Sequence, residues 1–247
     1  FFRRMSLHAR CLNGLVTMNG LPNFQKIYQN FITQDTAALA SAANQEMTEA
    51  MVSFAVKAAT FDNIKVSDAQ RRKLNMLKQS IVIPAPQDSK KSAELAQIGA
   101  KLGGLYGKGS YTNAKGQKLS LGDMTSTMAT SRDYDELLDV WQGWRQISPP
   151  MKDLYTRQTQ LANEGATGLG YKDLGAMWRS NYDMPSDDFA KELDRLWGQV
   201  KPLYDDLHCY VRSELSKTYG EDKVALDKPI PAHLLGNMWA QSWGNIY

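Results

Sequence analysis

Residues 186–220 read SDDFAKELDRLWGQVKPLYDDLHCYVRSELSKTYG, which is the longest regular pattern in the chain. Steps mostly of three and four residues between its apolar side chains predict one long amphipathic helix. Ser186 is placed to cap the start and Gly220 to end the helix, while Pro202 inside it predicts a kink or a split. The apolar positions are Phe189, Leu193, Leu196, Val200, Leu203, Leu207, Tyr210 and Leu215.

The same helical periodicity recurs along most of the chain. Thr33 or Asp35 is predicted to cap a helix that ends near Ala59, and Ser67 with Gln70 forms a capping box before the next helix. We therefore predict an all-α fold class with no internal domain boundary. Further helices are predicted over about residues 88–106, from a cap at Ser131, over about residues 151–167, and over residues 186–220.

Only one region favours strands. The stretch from residue 103 to residue 122 is rich in glycine, which is typical of a loop. A short hairpin is predicted around residues 114–116. The six glycines are Gly103, Gly104, Gly107, Gly109, Gly116 and Gly122.

The composition narrows the class of protein. Hydrophobic residues make up 43% and charged residues 22% of the 247 residues, so disorder throughout is not expected. The net charge of +3 is too small to favour a nucleic-acid partner. Cys11 and Cys209 are too few for a disulfide framework or a four-cysteine zinc site, and their pairing stays open. No apolar run reaches the length of a transmembrane helix.

The first 29 residues differ from the rest. Residues 1–34 contain Arg3, Arg4, Arg10 and Lys26 and no acidic residue, a bias that is typical of targeting segments. The apolar run at residues 11–18 is interrupted and fits a secretory signal poorly. Residues 1–29 are therefore left unassigned or targeting-like. A membrane-surface or nucleic-acid binder led by these four charges is an alternative.

No set of residues suited to catalysis emerges from spacing alone. The three histidines, His8, His208 and His233, do not form an H-E-x-x-H motif, and a catalytic zinc site usually needs three protein ligands. Phosphate-binding loops and nucleophile elbows are missing as well. We interpret His208 and His233 as structural. No catalytic residue and no metal ligand is assigned.

The C-terminal residues 229–247 read PIPAHLLGNMWAQSWGNIY. From Ala232 the pattern predicts a helix, on which Trp239 and Trp243 share a face. These two tryptophans are typical of a core, with a ligand groove as the alternative. Because no capping glycine or polar tail follows Tyr247, we expect the natural protein to continue beyond it.

Five stretches together resemble the angiotensin-converting enzyme family. They are MATSR at residues 128–132, WQGWR at 141–145, WRSNY at 178–182, PLY at 202–204, and the whole of residues 229–247. Their order and spacing are similar to those of the family. The resemblance covers about residues 30–247, which would form an incomplete helical peptidyl-dipeptidase domain.

The resemblance implies a large, almost wholly helical metallopeptidase domain with a deep central channel. Such enzymes are zinc peptidyl-dipeptidases (dipeptidyl carboxypeptidases), which release C-terminal dipeptides from oligopeptides and act outside the cell or in the periplasm. Zinc polarises the scissile carbonyl and activates water, with a glutamate as the general base. The residues that hold zinc fall beyond the position of Tyr247 in the family sequence. The cofactors implied for the full family are therefore zinc and chloride.

Four residues match family positions with a role. Gln241 matches the amide that binds the carboxylate of the substrate, and Ser242 matches a residue of the pocket for the last substrate side chain. Arg145 matches an arginine that holds a chloride ion, and Tyr182 matches a tyrosine at a second chloride. From residue type alone, Arg145 pairing with a carboxylate and Tyr182 closing a core hydrogen bond remain open.

The chain also departs from the family pattern. Residues 1–28 match nothing that we recognise in the family, although its N-terminal lid helices would be expected there. Many relatives carry a disulfide across the glycine-rich loop, and here Thr112 and Lys118 occupy those places. The loop should therefore be freer.

Two functional hypotheses follow. In the first, the chain is the N-terminal part of an active peptidase and is inactive by itself, with exposed apolar helix faces that favour aggregation. In the second, it is a non-catalytic helical module that binds peptides weakly through Gln241 and Ser242.

Overall fold

A computed structural model describes residues 31–244 and residue 246. The fold is all-α, as predicted, with one small hairpin in the described part of the chain. The helices are α1 (Gln34–Ala59), α2 (Asp68–Gln79), α3 (Ser89–Gly107), α4 (Leu121–Thr130), α5 (Tyr134–Arg145), α6 (Lys152–Gly168), α7 (Leu174–Arg179) and α8 (Ser186–Tyr219), the strands are β1 (Ser110–Thr112) and β2 (Lys118–Ser120), and short 3-10 turns cover Pro149–Met151, Ser180–Tyr182 and Ala232–Leu234.

Side-chain caps determine where several helices begin. Thr33 forms a reciprocal capping box with Thr36 before α1, and Ser67 forms one with Gln70 before α2, which confirms both predictions. The predicted cap at Ser131 is wrong. The carboxylate of Asp133 accepts a hydrogen bond from the backbone N–H of Glu136 and caps α5, because Ser131 still belongs to the end of α4.

The long helix predicted over residues 186–220 is present as α8. It runs through Pro202 without interruption, so the alternative of a split is wrong. Gly220 ends it with a φ of 93°, which a residue with a Cβ adopts only with strain. Ser186 is not a side-chain cap, because its hydroxyl donates to the carbonyl oxygen of Ala176 at 2.6 Å.

The glycine-rich region is only partly a loop. Gly103, Gly104 and Gly107 lie within α3, and Gly122 lies in the first turn of α4. The hairpin pairs β1 with β2 antiparallel, with Thr112 opposite Lys118. Its turn includes Gly116 with a φ of 77°. The prediction of a hairpin here is therefore confirmed, whereas the predicted loop was too long.

The described residues form two compact units, although the sequence predicted no internal boundary. The chain passes from one unit to the other after Lys108, after Met151 and after Phe189. The last of these crossings lies inside α8. Because the helical pattern continues there without a change of composition, periodicity gave no sign of it.

The first unit contains residues 31–108 and 152–189. Helix α1 packs against α2 and α3, and α3 packs against α6. One buried cluster contains side chains from α1, from α6, from α7 and from the segment that precedes α3. Its members are Val52, Ala55, Ile81, Ala166 and Met177.

Within the described part of the chain, the second unit contains residues 109–151, residues 190–244 and residue 246. Helix α4 packs against α5, which also contacts β1 and the 3-10 turn at Ala232–Leu234. Its core draws on α4, α5, the C-terminal half of α8 and the segment that follows. The fully buried members include Met124, Val140, Val211, Leu215, Val224 and Met238.

None of the helices in the described part of the chain is both long and apolar enough to cross a membrane.

Candidate functional site

The predicted helix from Ala232 to Tyr247 is wrong. Only Ala232–Leu234 forms a short 3-10 turn, and residues 235–244 continue as bends, turns and irregular backbone. Gly236 has a φ of 79° and Ala240 a φ of 56°, and neither value fits a right-handed helix. Trp239 and Trp243 therefore do not share a helix face.

Asn237 organises the turns that carry Gln241. Its side-chain oxygen accepts hydrogen bonds from the backbone N–H groups of Trp239, at 3.0 Å, and of Gln241, at 3.2 Å. Its carbonyl oxygen accepts from the N–H of Ala240 at 3.1 Å. These local bonds compete with a continuous helix. They fix the backbone of Gln241 while the side chains of Gln241 and Ser242 remain exposed.

Arg145 ties the end of α5 to this segment. Its guanidinium donates from Nη1 to the carbonyl oxygen of Trp141 at 2.8 Å and from Nη2 to that of Met238 at 2.5 Å. The group also lies 3.3 Å above the ring of Trp141, a cation–π contact. The bond to Met238 thus joins Arg145 to the segment that carries Gln241 and Ser242, three and four residues further along the chain.

The guanidinium of Arg145 has no acidic partner among the ion pairs of the described residues. Its pairing with a carboxylate, left open by the sequence, is not seen. Burial lowers the pKa of Arg145, since the desolvated cation is stabilised less than it would be in water. Arg145 is therefore a partly buried positive charge whose hydrogen bonds go to backbone carbonyls.

Tyr182 belongs to the first unit. It ends the 3-10 turn Ser180–Tyr182, and its ring stacks on Phe189 at 3.9 Å with an interplanar angle of 11°. The residue is 58% exposed, so its hydroxyl does not close a hydrogen bond within a core. The stacking fixes the ring and leaves the residue open to solvent.

The two described histidines have structural surroundings. His208 shares a hydrogen bond of 3.1 Å with Arg212, and its ring lies 6.0 Å from that of Trp243. His233 is buried against Tyr134, with ring centroids 4.5 Å apart, and burial lowers its pKa to about 4. No three His, Cys, Asp or Glu side chains within residues 31–244 converge to hold a metal. The residues that the structure describes therefore do not fit a zinc ion.

The two tryptophans of the C-terminal segment differ in their exposure. Trp243 donates from Nε1 to the carbonyl oxygen of Ala240 at 3.1 Å and packs on the core of the second unit, whereas Trp239 is 52% exposed.

Cys209 is a free, exposed thiol. Cys11 lies outside the described residues, so its pairing is untested. Residues 1–29, predicted to be unassigned or targeting-like, lie outside them too.

Asn237 is the residue that sequence reasoning missed. The pair Gly236-Asn237 is a common turn signal, since glycine tolerates positive φ and asparagine bonds to the backbone two residues on. That signal was available, but the apolar spacing of the surrounding residues favoured a helix.

The described residues form a predominantly helical domain, in which Arg145 anchors a loop that carries the exposed Gln241. The sequence model of the family described as angiotensin-converting enzyme matches residues 17–247. The angiotensin-converting enzyme of Rattus norvegicus is 36% identical over 226 residues, which is 89% of this chain and 17% of that protein. The enzyme of Sus scrofa is 51% identical over 126 residues, or 51% of this chain and 10% of that protein. The enzyme of Theromyzon tessulatum is 46% identical over 125 residues, or 50% of this chain and 20% of that protein.

The chain belongs to the angiotensin-converting enzyme family. The family match begins at residue 17, ahead of residue 30, from which we identified the resemblance. The chain spans between a tenth and a fifth of the length of these curated relatives.

Proposed function

We propose that this chain carries part of the substrate and anion sites of a zinc peptidyl-dipeptidase, an enzyme that releases dipeptides from the C-terminus of oligopeptides. In the same proposal, the chain alone does not hydrolyse peptides. Family membership also supports an extracellular or periplasmic location.

The observation that carries this proposal is the placement of Gln241. Its backbone is held by Asn237, and its amide side chain is exposed. An amide NH2 donates readily to a carboxylate such as the C-terminus of a peptide. Ser242 follows directly and adds a hydroxyl beside it. Together they supply part of a carboxylate-binding site.

Arg145 supports an anion site in the second unit. The guanidinium is partly buried, lacks an acidic partner among the described residues, and lies on the face of Trp141. A desolvated cation of this kind attracts a small anion. We propose chloride as its ligand and Tyr182, in the first unit, as part of a second chloride site.

The donor groups of the chain support the proposed inactivity. The described residues do not fit a zinc ion, and the H-E-x-x-H motif is missing from the sequence. No hydrolytic step is therefore assigned to a residue of this chain.

The test is a combined binding and activity measurement on the purified chain. With zinc, chloride and a tripeptide reporter, we expect no stoichiometric metal and no dipeptide release, but measurable binding of the tripeptide. Gln241→Glu should abolish that binding, because its carboxylate repels the peptide carboxylate. Gln87→Glu, an exposed loop glutamine outside the site, should not. Chelator-sensitive cleavage would overturn the inactivity.

The anion site has its own test. At equal ionic strength, chloride should stabilise the wild-type chain more than acetate does, and Arg145→Met should lose the difference. Arg195→Met, which breaks an exposed pair with Glu192, is the matched control and should keep it. Equal stability in the two salts for the wild type would contradict chloride binding at Arg145.

The alternative is a non-catalytic peptide-binding module. The exposed side chains of Gln241 and Ser242 support it equally well, since neither needs a metal to bind a carboxylate. The two functions separate when a longer form of the protein is assayed: metal-dependent dipeptide release favours the peptidase, and binding without cleavage favours the module.

A further inference from the structure

A buried histidine lies at the start of the segment that carries Gln241. We call residues 232–244 the Gln241 segment. Leu234 and Met238 of this segment belong to the core of the second unit. His233 is buried too, at 5% exposure, and its Nε2 has no hydrogen-bond partner among the described residues. The segment is therefore held in place by packing that includes an imidazole ring with an unpaired nitrogen.

The groups around His233 come from α5, from the end of α8 and from the loop after α8. The ring of Tyr134 meets the imidazole edge to face, with centroids 4.5 Å apart. Tyr219 and Lys223 pack on Tyr134, and Asp135 supplies the acidic charge near the histidine. Tyrosine and lysine titrate well above pH 7, and aspartate titrates near pH 4. The histidine is therefore the group of this cluster whose ordinary titration falls between these limits.

The Gln241 segment can leave the core without unfolding a helix. Residues 235–244 contain no helix or strand, and the hydrogen bonds to the side chain of Asn237 run within the segment. Arg145 links the segment to α5 through the carbonyl oxygen of Met238. Segments whose hydrogen bonds are local open at a lower free-energy cost than a helical core does.

We propose that protonation of His233 releases the Gln241 segment from the core of the second unit, so that the carboxylate site is formed at neutral pH and opens in acid. This regulation rests on the proposed role of Gln241 in binding the carboxylate of a peptide. A charged imidazole is costly in the buried position, because it would lie in apolar surroundings with a ring N–H unpaired. In the released segment, water solvates the charge.

Acid favours release because the buried and released histidines bind the proton differently. Burial lowers the pKa of His233 to about 4 from the ordinary value of 6.5, and the charge of Asp135 offsets this effect only in part. Release is therefore least favoured above pH 6.5 and grows as the pH falls towards 4. Between about pH 7 and about pH 5, the equilibrium constant for release should increase about twentyfold.

The test measures the opening of the segment by residue-resolved amide hydrogen exchange on the whole chain. The reporters are the N–H groups of Trp239, Ala240 and Gln241, each of which donates to Asn237. Ala240 has a φ of 56°, which is strained outside packed surroundings, so these turns relax on release. After correction for the intrinsic effect of pH on exchange, the protection of the reporters should fall about twentyfold from about pH 7 to about pH 5.

Variants show whether His233 is the group responsible. His233→Leu fills the same site with a side chain that binds no proton, and the protection should then stay constant over this range. His233→Gln, a second uncharged side chain, should also remove the response. His208→Gln is the matched control, since it removes a histidine that contacts Trp243 in the same segment, and it should respond to acid as the wild type does.

Low concentrations of urea separate release of the segment from unfolding of the unit. Release exposes little surface, so the exchange of the three reporters should hardly change with urea. The amide of Met128, which is buried within α4, should exchange more slowly than the reporters and speed up with urea. Equal protection and equal urea dependence at both places would mean that the segment opens only with the unit, and would overturn the proposal.

A tripeptide separates this regulation from the proposed function. At about pH 7, a saturating tripeptide should slow the exchange of the reporters, because it binds the segment in place. If it binds at no pH while the reporters respond to acid as expected, the carboxylate site fails and the release by His233 stands. If it binds but the protection in His233→Leu falls as steeply as in the wild type, the control by His233 fails and the carboxylate site stands.

Discussion

At the scale of single residues, Arg145 both anchors the segment that carries Gln241 and supplies the positive charge of the proposed chloride site. Its two donor nitrogens hold carbonyls of α5 and of the segment leading to Gln241, and its charge remains without an acidic partner in the described part of the chain. An anion bound at the guanidinium of Arg145 would therefore also help to hold the segment that carries Gln241 in place. This links the proposed chloride site to the proposed substrate site through the carbonyl of Met238.

Replacing Arg145 should destabilise the second unit. Arg145→Met keeps much of the packing on Trp141 but removes both charge-assisted hydrogen bonds, which costs roughly 2 kcal/mol. Urea unfolding followed by tryptophan fluorescence measures this loss. Arg195→Met should have little effect on stability, since it breaks only an exposed pair. Equal losses for the two variants would show that Arg145 does not anchor the segment.

His233 makes stability depend on pH. Its side chain is 5% exposed, its Nε2 has no hydrogen-bond partner among the described residues, and burial lowers its pKa from 6.5 to about 4. Tyr134 packs against it, Tyr219 and Lys223 contact Tyr134, and the nearby charge of Asp135 opposes the effect of burial. The folded chain therefore keeps His233 neutral where the unfolded chain binds a proton.

The consequence is a loss of stability in acid. The contribution of His233 is fully present above pH 6.5 and is lost as the pH falls towards 4, by up to about 3 kcal/mol. His233→Leu should flatten the dependence over this window, as measured by urea unfolding at several pH values. His208→Gln, which removes a histidine of the same unit, should leave the slope in place. An unchanged slope in His233→Leu would contradict the assignment.

The family resemblance picked out sequence positions better than residue types predicted bonding partners. Matching the family placed Arg145, Gln241 and Ser242 in the sequence, and the structure brings them to neighbouring parts of one unit. The contact with the carbonyl of Met238 was not predictable, because a backbone carbonyl leaves no mark in the pattern of side chains. The exposure of Tyr182 was not predictable either, since tyrosine occurs both in cores and at surfaces.

At the scale of elements, Gly165 allows α6 to approach the chain before α3. A Cβ at this position would lie 2.1 Å from the carbonyl oxygen of Pro84. Gly165→Ala should therefore destabilise the first unit by about 1–3 kcal/mol, because backbone must move to admit the methyl group. Gly168→Ala on the same helix meets no atom within 4 Å and should be neutral or slightly stabilising. Thermal unfolding of both variants decides whether the approach is as close as described.

The hairpin can accept the disulfide that many relatives are expected to have. Thr112 lies opposite Lys118, and the next pair, Asn113 and Gln117, is joined by a backbone hydrogen bond of 3.0 Å. Hydrogen-bonded and non-hydrogen-bonded pairs alternate, so Thr112 and Lys118 form a non-hydrogen-bonded pair with Cα atoms about 4.5 Å apart. This separation fits a disulfide.

Thr112→Cys with Lys118→Cys should form that bond and stabilise the second unit by about 2 kcal/mol. Thiol titration verifies closure, and the melting temperature of the oxidised variant is compared with that of its reduced form. A disulfide that forms without raising the melting temperature would contradict this prediction. It would mean that the disulfide removes no conformational freedom from the hairpin.

Helices were predictable where caps and periodicity agree, as at Thr33, Ser67 and Gly220. The prediction failed at residues 235–244, where apolar spacing suggested a helix but Gly236, Asn237 and Ala240 form turns. Local hydrogen bonds from one asparagine side chain outweighed the spacing there. Pro202 shows the reverse case, since α8 stays continuous despite the lost backbone hydrogen bond.

At the scale of the whole molecule, the two units could not be predicted from the sequence, because each of them is built from two separate stretches of the chain. Lys108 and Met151 lie at ordinary loop positions, and Phe189 lies inside a helix. Which helices share a core depends on contacts between residues far apart in sequence, and hydrophobic periodicity only shows which face is buried. The central channel implied by the family stays a prediction.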